Sequence, residues 1–397
     1  MTDTLRGFRI VDLTRMLAGP YATMLLADMG AEVIKVENPD GDPMRSMGPP
    51  FEPDGRSAYF MAVNRNKKSV VLDLGNDRDH RRFLSLVRTA DAVVDNFRPG
   101  VMERLRLTPQ HLRAVRPDLV TCSMTAFGGD GPYRDLPAYD LVLQAMGGGM
   151  SITGEPGGRP TRAGIPIGDL AGGAFAALAV CAALLSRERH KQGGRGGGRA
   201  LPGRREGGED APPQTGQQHI DLSLLDVQVS LLTYVAQYFL TDGQVPGPIG
   251  SAHQSVVPYQ AFQTADGDVV VAVFGETFWA PLCRAIALED LIDRYPDNAT
   301  RHACRQELVE QLQRRFLERT TDEWVQAIWA AGVPGGPVNT VDRVLRDPQV
   351  RHRRMIVSDG ERELLGNPIK TGRPDTFTPA PALGQHTAEL LPFLPHQ

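Results

Sequence analysis

Short apolar runs alternate with helical patterns along the first part of the chain. The predicted strands are residues 9–13, 32–37, 69–74, 92–95 and 119–125. Between the first two strands, Gly19 and Pro20 open an apolar stretch that Gly30 closes, and this pattern is typical of a helix. Strands that alternate with helices build a parallel sheet covered by helices, so the chain is predicted to be an α/β protein.

The apolar pattern changes after the fifth predicted strand. Residues 170–185 carry no charge and predict a buried helix, because about 16 residues are fewer than the roughly 20 that span a bilayer. Residues 220–240 predict one long helix, and two apolar runs about an Asp-Gly pair in residues 261–274 predict a hairpin. Further helices are predicted at residues 278–287, 302–318 and 321–331, and a strand pair within residues 355–370. These elements predict a second, smaller α+β domain.

This pattern divides the chain into four parts. They are a large domain (1–220), a linker helix and loop (221–254), a small α+β domain (255–337) and a C-terminal segment that returns to the large domain (338–397). Residues 191–218 interrupt the large domain with 9 Gly and 3 Pro among 28 residues and no aromatic residue. Such a composition cannot bury a core and predicts a flexible low-complexity insertion.

Charge and composition limit the class of protein. The 43 basic and 47 acidic residues give a net charge of −4, which argues against nucleic acid as the main partner. With 41% hydrophobic and 23% charged residues, the composition is that of a soluble globular protein, and no membrane association is expected. Four cysteines without a close pair indicate neither a disulfide framework nor a metal site. Since charged residues precede any apolar run at the N-terminus, we expect a cytoplasmic enzyme.

Common nucleotide and hydrolase motifs are missing from the sequence. Glu37 ends the second predicted strand, where dinucleotide-binding folds often hold an acid for the ribose. However, bulky Met16 and Leu17 stand where the glycine fingerprint would let a pyrophosphate approach the backbone. No phosphate-binding loop, serine-hydrolase elbow or zinc-protease pair occurs either. A nicotinamide enzyme is therefore disfavoured.

Asp169 is the most informative single residue. It follows Gly168 and directly precedes the apolar helix. One interpretation is an N-cap, whose carboxylate accepts hydrogen bonds from the first backbone N–H groups of the helix. The other is a nucleophile, with nearby N–H groups stabilising a developing oxyanion. The spacing alone leaves both interpretations open.

Eight segments carry a family resemblance across almost the whole chain. They are residues 5–37, 64–74, 95–105, 138–149, 164–173, 220–226, 332–340 and 383–387. In this order they resemble the class III coenzyme A transferases, the family of formyl-CoA transferase and carnitine CoA-transferase. The resemblance implies a homodimer of two interlinked rings, each with a Rossmann-like large CoA-binding domain and a smaller α+β domain. It also implies acyl-CoA and small carboxylates as substrates, without a prosthetic group or metal.

The resemblance assigns roles to individual residues. The nucleophile falls on Asp169, and Tyr59 and Tyr139 fall on active-site tyrosines of formyl-CoA transferase. The residues implied to contact CoA are Met16, Leu72, Asn96, Phe97 and Arg104. For Leu72 and Phe97, simple core packing is an equally good interpretation.

This chain departs from the family pattern at four positions. Leu17 stands where formyl-CoA transferase has a glutamine, so formyl-CoA and oxalate are not expected as substrates. Asn38 and Pro137 replace basic residues, so other cations must contact the CoA phosphates. His253 stands in place of a glycine run in the loop that covers the active site of relatives.

The predicted reaction transfers CoA from an acyl-CoA to a small carboxylic acid through an aspartyl-CoA thioester on Asp169. Dicarboxylic acids such as succinate are expected, with Arg45 and Arg162 as candidate partners of the distal carboxylate. An α-methylacyl-CoA racemase is the alternative within the fold, but it needs a histidine base where this chain has Tyr139, and a tyrosine of ordinary pKa near 10 is a poor base. The alternative of another class is a CoA-fold platform whose basic insertion docks RNA, a membrane or a partner protein.

Overall fold

A computed structural model describes residues 3–193, 219–358, 362–370 and 377–391. They form two compact units, the first drawn from residues 1–149, 163–237 and 354–397, the second from 150–162 and 238–353. The chain changes unit after residues 149, 162, 237 and 353, whereas the predicted boundaries lie at 220, 254 and 337. Apart from residues 191–193, the predicted insertion lies outside the described residues.

A six-stranded sheet lies at the centre of the first unit. Its strands are β1 (Arg9–Asp12), β2 (Glu32–Glu37), β3 (Lys67–Val71), β4 (Ala92–Asp95), β5 (Val120–Thr125) and β6 (His219–Ser223). All are parallel, in the order β3-β2-β1-β4-β5-β6. The predicted α/β fold with a parallel sheet is confirmed, with β3 placed slightly earlier than the predicted 69–74. The strand order reverses between β1 and β4, where open α/β sheets form a crevice at the carboxyl ends of their strands.

Helices cover both faces of this sheet. The helices along this part of the chain are α1 (Ala18–Asp28), α2 (Ala58–Ala62), α3 (Asp77–Val87), α4 (Val101–Arg104), α5 (Pro109–Val115), α6 (Asp140–Met146), α7 (Ile167–Gly193) and α8 (Leu224–Leu231), followed by α9 (Thr233–Asp242) where the chain changes unit, with 3₁₀ turns at Pro43–Ser46 and Gly149–Ser151. Helices α1 and α7 pack with Ile10 and Val33 on one face. Helices α3 and α5 pack with Val11 and Ile34 on the other. Because successive strand residues point to opposite faces, both faces of the apolar strands are buried.

Helix α7 is longer than the sequence predicted, because it continues past residue 185 through a charged last turn. Its residues Ile167–Lys191 contain an 18-residue window with a mean hydropathy of 1.8, and the helix is long and apolar enough to cross a membrane by length and composition alone. The predicted burial holds for one face, where Ala176 and Val180 pack in the core. Gly173 allows α1 to come close, since a Cβ there would lie 2.6 Å from the Ala18 carbonyl oxygen.

The single helix predicted at residues 220–240 is wrong. Ile220 and Leu222 alternate with polar residues and form β6, which pairs with β5. The Ser223 hydroxyl then accepts a hydrogen bond from Asp226 N at 3.1 Å and caps α8. The helix breaks again before α9, where Thr233 has a φ of 44°. Helix α8 packs against α6 and α7, and residues 221–237 therefore belong to the first unit rather than to a linker.

The second unit contains a three-stranded antiparallel sheet and several helices. The strands are β7 (Tyr259–Gln263), β8 (Asp268–Ala272) and β9 (Gly335–Pro337), and β7 and β8 form the predicted hairpin. The helices are α10 (Trp279–Ala285), α11 (Asp290–Arg294), α12 (Asn298–Ala303), α13 (Arg305–Phe316), α14 (Thr321–Ala330), α15 (Val341–Arg346) and α16 (Pro348–His352), with a 3₁₀ turn at Glu276–Phe278. Aromatic packing centres on Phe316, whose ring lies 4.9 Å from that of Phe262 and 5.3 Å from that of Trp324.

The C-terminal residues belong to the first unit. The strands β10 (Ile356–Ser358) and β11 (Glu363–Leu365) form the predicted antiparallel pair, and α17 (Thr387–Leu390) follows. Residues 377–391 run beside β3, where Gly384 N donates to Ser69 Oγ at 2.9 Å and Val71 N donates to Thr387 Oγ1 at 3.0 Å. This segment therefore covers the edge strand of the sheet and satisfies its backbone groups.

Candidate functional site

A cavity of about 550 Å³ opens at the carboxyl ends of the strands of the large sheet. The end of each strand or the segment that follows it contributes to the wall: Leu13 and residues 15–18, 36–38, 72–75, 96–99, 124–126 and Leu224. The cavity therefore lies where the reversal of strand order predicts a ligand site.

The structure brings the sequence-predicted site residues together. Seven of them line the cavity: Met16, Leu72, Asn96, Phe97, Arg104, Tyr139 and Asp169. The eighth, Tyr59 on α2, interacts electrostatically with the candidate nucleophile. Burial and the charge of Asp169 raise the pKa of the Tyr59 phenol. One cavity in the first unit thus holds seven of the eight positions, and Tyr59 interacts with Asp169 from outside its lining.

The CoA-contact candidates differ in what they offer a ligand. Leu72 is only 1% exposed and packs in the core beneath the cavity, as its packing interpretation predicts. Both polar atoms of the Asn96 side chain bond the backbone of Arg15, each at 2.8 Å. Asn96 therefore holds the loop after β1 in place, whereas Phe97 and Arg104 line the cavity without such a backbone contact of their side chains.

Asp169 is not the N-cap of α7. The helix begins two residues earlier, at Ile167, and the preceding residues 164–166 are Gly, Ile and Pro, which carry no capping side chain. Instead, Gly168 N and Asp169 N donate to Asp140 Oδ1 at 2.9 and 3.2 Å. The capping interpretation of Asp169 is therefore wrong. Because Asp140 occupies these two N–H groups, they are not free to stabilise an oxyanion.

The Asp169 carboxylate is partly buried and is not compensated by a hydrogen bond or an opposite charge of any described residue. Within the described part of the chain, no hydrogen bond or ion pair reaches its oxygens. Burial, together with the negative charge of Asp140, raises the pKa of Asp169 to about 7. Near neutral pH the group is thus a half-ionised carboxylate, more basic than an ordinary one and open to the cavity. Such a group suits nucleophilic attack on an electrophilic carbonyl.

Sequence reasoning missed three cations of the cavity wall. Arg15, Arg98 and Arg134 line it together with the predicted Arg104. The Arg15 guanidinium lies 5.1 Å from the centroid of the Phe97 ring. Arg15 and Arg98 lie just after strands β1 and β4. Their positions at the carboxyl ends of predicted strands could have identified them as residues of a ligand cavity. Guanidinium groups suit phosphates, and these arginines offer contacts in place of the basic residues absent at positions 38 and 137.

Arg45, one candidate partner of a distal carboxylate, is already engaged. Its guanidinium bonds both oxygens of Glu37 at 2.7 Å and lies 3.9 Å from the centroid of the Phe60 ring. Although burial opposes it, Arg45 and Lys35 hold the pKa of Glu37 below its usual value. The assignment of Arg45 to substrate is therefore wrong, and Glu37 is likewise not free for a ribose. The other candidate, Arg162, is an exposed residue of the second unit.

Two further observations concern residues outside the cavity. His253 lies in the second unit, where its Nδ1 accepts a hydrogen bond from Ser255 N at 3.0 Å and its ring lies 5.4 Å from that of Tyr259. Among the described residues, no group of three or more His, Cys, Asp or Glu side chains is arranged to hold a metal ion.

Comparison with known proteins gives one family. The model of CoA-transferase family III matches residues 5–197 and 209–387. The chain is 38% identical to the succinyl-CoA:mesaconate CoA-transferase of Haloarcula hispanica, over 98% of this chain and 95% of that protein. It is also 38% identical to the succinyl-CoA:glutarate CoA-transferase of Mus musculus, over 98% of this chain and 85% of that protein. A CAIB/BAIF family protein from Brucella suis has a similar structure, with a TM-score of 0.83, 33% identity, and 98% and 99% of the two chains covered.

Proposed function

The chain belongs to the class III CoA-transferase family, and from that membership we propose that it transfers CoA from succinyl-CoA to a small dicarboxylic acid through a covalent intermediate on Asp169. The observation that carries the proposal is the Asp169 carboxylate, which has no hydrogen-bond or ion-pair partner among the described residues. Its pKa is raised to about 7, and it lines a cavity at the carboxyl ends of the strands. CoA enters this scheme as substrate, and no prosthetic group or metal is required.

Four balanced steps describe the exchange. The Asp169 carboxylate attacks the donor thioester carbon, the C–S bond breaks, and CoA thiolate leaves a mixed anhydride. The thiolate then attacks the aspartyl carbonyl, releasing the donor acid as its carboxylate and forming the aspartyl-CoA thioester. The acceptor carboxylate attacks that thioester and again expels the thiolate. Finally the thiolate takes the acceptor acyl group, and the Asp169 carboxylate is restored.

The other residues of the cavity bind and orient CoA in this proposal. Arg15, Arg98, Arg104 and Arg134 supply positive charge for the phosphates. Met16, Leu72 and Phe97 form the apolar wall, and Asn96 fixes the loop that carries Arg15. The strand order of the sheet supports a Rossmann-like CoA-binding domain.

The two tyrosines act on the acyl group rather than as bases. Tyr139 is 68% exposed and Tyr59 39% exposed, so both phenols are accessible to a substrate. Since Asp169 and burial raise the pKa of Tyr59, its phenol stays protonated and can donate a hydrogen bond to a carbonyl or oxyanion. A racemase would need a second base opposite Asp169. The protonated Tyr59 phenol and the names of the relatives favour transfer.

The substrate assignment follows the relatives, which are named for succinate with mesaconate or glutarate as the second acid. The test is CoA transfer from succinyl-CoA to a panel of dicarboxylic and monocarboxylic acids, without ATP. We expect dicarboxylic acceptors to give the higher kcat/KM. Monocarboxylic acceptors preferred by more than tenfold would overturn the substrate class, and transfer that depends on ATP would overturn the reaction.

We further propose a homodimer, with interlinked subunits as in the family. Helices α6, α7 and α8 pack together in the first unit, and each exposes large apolar side chains: Leu141, Phe175, Leu178, Leu185 and Val229, all at least 42% exposed. A surface of this kind marks a protein interface, and the buried opposite face of α7 argues against a membrane span. Light scattering after size-exclusion chromatography is expected to give twice the mass of the chain, and a monomer would contradict the proposal.

The proposal includes a cytoplasmic location. All four cysteines, Cys122, Cys181, Cys283 and Cys304, are free thiols. Free thiols are typical of proteins in a reducing compartment. Fractionation of the source cells is the check, with the protein expected in the cytosolic fraction without detergent; recovery only in a membrane fraction would contradict it.

A further inference from the structure

The first turn of helix α7 is capped by Asp140, which lies 28 residues before Gly168 in the chain. Asp140, the first residue of α6, is only 8% exposed, and one of its oxygens accepts from both Gly168 N and Asp169 N. We propose that Asp140 is a positioning residue of the transfer reaction, which fixes the turn carrying Asp169 and keeps a second negative charge beside it. The inference rests on the proposed function, in which Asp169 is the nucleophile.

Asp140 is itself held firmly. Gln144, one turn further along α6, donates from Nε2 to Asp140 Oδ2 at 2.5 Å. The other end of the same amide, Gln144 Oε1, accepts from Ala163 N at 2.9 Å in the segment that leads into α7. Both oxygens of Asp140 are thus occupied by protein donors, and Asp140 is not among the residues that line the cavity. It acts on substrate only through Asp169.

The packing beneath Asp169 leaves the turn little room to move. A Cβ at Gly168 would lie 2.9 Å from Asp140 Oδ1 and would overlap the side-chain amide of Gln228 on α8. The Gln228 Nε2 atom is buried and has no hydrogen-bond partner among the described atoms. A displaced turn would therefore collide with α6 or α8. Rigid support of this kind is what a reacting group needs to be held in attack geometry.

The charges around Asp169 are arranged to make it more basic. Among the described residues, Asp140 from α6 and Tyr59 from α2 interact electrostatically with Asp169, while Tyr139 and Arg15 line the same cavity. No described cation forms an ion pair with Asp140 or Asp169. Two neighbouring carboxylates disfavour each other's ionised form. Burial and Asp140 accordingly raise the pKa of Asp169, and a more basic carboxylate is a stronger nucleophile.

The variant Asp140→Asn separates charge from capping. Asparagine keeps a side-chain oxygen for Gly168 N and Asp169 N but removes the negative charge. We expect the acid limb of the pH profile of kcat/KM, near pH 7 in the wild type, to move at least about one unit toward lower pH. The plateau at high pH should fall, because the less basic Asp169 attacks more slowly. A purely structural cap would lower the rate at every pH and leave the midpoint in place.

Two further variants control this comparison. Asp297→Asn in the second unit alters another capping carboxylate, which accepts from Thr300 N at 2.7 Å, and should leave the midpoint unchanged. Asp140→Glu retains the charge and should keep the midpoint near that of the wild type, even where its longer side chain reduces the rate. A folded Asp140→Asn protein with the wild-type midpoint would overturn the proposal.

A direct titration distinguishes failure of this proposal from failure of the proposed function. Infrared difference spectra can follow the protonated carboxyl of Asp169, with Asp169→Asn as the blank, in the wild type, Asp140→Asn and Asp140→Glu. This measurement needs no turnover. If the wild type transfers no CoA, the proposed function fails, and the titration still decides on Asp140: a lower midpoint in Asp140→Asn supports its role, and equal midpoints overturn it.

Discussion

Two carboxylates of the first unit, the buried Asp12 and the partly buried Asp169, have opposite surroundings. Asp12, at the end of β1, bonds Lys67 Nζ at 3.1 Å and the hydroxyls of Thr14 and Thr23 at 2.5 and 2.7 Å. Although burial opposes it, Lys67 and Lys35 hold the pKa of Asp12 below its usual value. Asp169 lies at the same edge of the sheet, but its neighbour is the like-charged Asp140, and its pKa is raised to about 7.

The contrast shows how one chemical group serves either structure or reaction. A buried charge costs free energy of folding unless ion pairs and hydrogen bonds compensate it. Asp12 is fully compensated, so it fixes the loop after β1 and is held in its ionised, weakly basic form. Asp169 is not compensated, which leaves its lone pairs available to a substrate. Perturbed carboxylates in a cavity are candidates for catalysis for this reason.

Asp169→Asn tests the catalytic half of this comparison. We expect CoA transfer to fall by about a thousandfold or more, because the nucleophile is lost. The fold should remain, since no described hydrogen bond of the side chain is removed. Transfer assays and circular dichroism of the same preparation check both statements. Activity within tenfold of the wild type would show that Asp169 is not the nucleophile.

Asp12→Asn tests the structural half of this comparison. The change leaves the buried Lys67 ammonium without its carboxylate, although Pro20 O and Asn64 Oδ1 still accept from it at 2.9 Å each. Removing one partner of a buried ion pair lowers the free energy of unfolding by about 3 kcal/mol. Urea denaturation measures this loss. A loss below about 1 kcal/mol would mean that the pair contributes little to stability.

Arg15→Ala tests whether the positive wall of the cavity contacts CoA. Loss of one charge-assisted hydrogen bond to a phosphate should raise KM for the acyl-CoA about tenfold and change kcat much less. Arg78→Ala on α3 is the matched control, because that exposed arginine lies outside the cavity and its loss should leave KM unchanged. Equal KM values for the two variants would remove Arg15 from the phosphate site.

A further expected effect is a pH-dependent gain in stability for Asp169→Asn. In the unfolded chain an aspartate ionises near pH 4, at about its ordinary pKa. In the folded protein Asp169 keeps its proton up to about pH 7. Between these values the unfolded state releases a proton that the folded state retains, so the wild type loses stability as pH rises. Tm of the variant should therefore equal that of the wild type near pH 4 and exceed it above pH 7; a difference that shrinks with rising pH would contradict this sign.

The sequence predicted those features that local patterns determine. The β-branched runs indicated five of the six parallel strands, and Asp169 and the candidate CoA contacts named from the ordered segments line one cavity. Strand β6 was missed although Ile220 and Leu222 alternate with polar residues and Ser223 precedes an apolar helix, a signal that was available.

Other features of the site depend on distant contacts and could not be read from a local pattern. The hydrogen bond from Asp169 N to Asp140 joins residues 29 positions apart, so nothing in the sequence near Asp169 showed that its helix is capped from elsewhere. The salt bridge of Arg45 with Glu37 depends on the path of the turn between them, and it removed a candidate that looked free in the sequence. Capping and pairing partners are properties of the folded chain, and they decide which charged residues remain available for chemistry.

The most direct test of the central claim is covalent trapping on Asp169. The wild-type protein is incubated with succinyl-CoA in the absence of acceptor, then treated with hydroxylamine or borohydride, and its peptides are analysed by mass spectrometry. The account predicts a hydroxamate or reduced side chain at Asp169, dependent on succinyl-CoA and absent from Asp169→Asn. Turnover of succinyl-CoA with an acceptor, but with no label at Asp169 or with a label on a different residue, would contradict it.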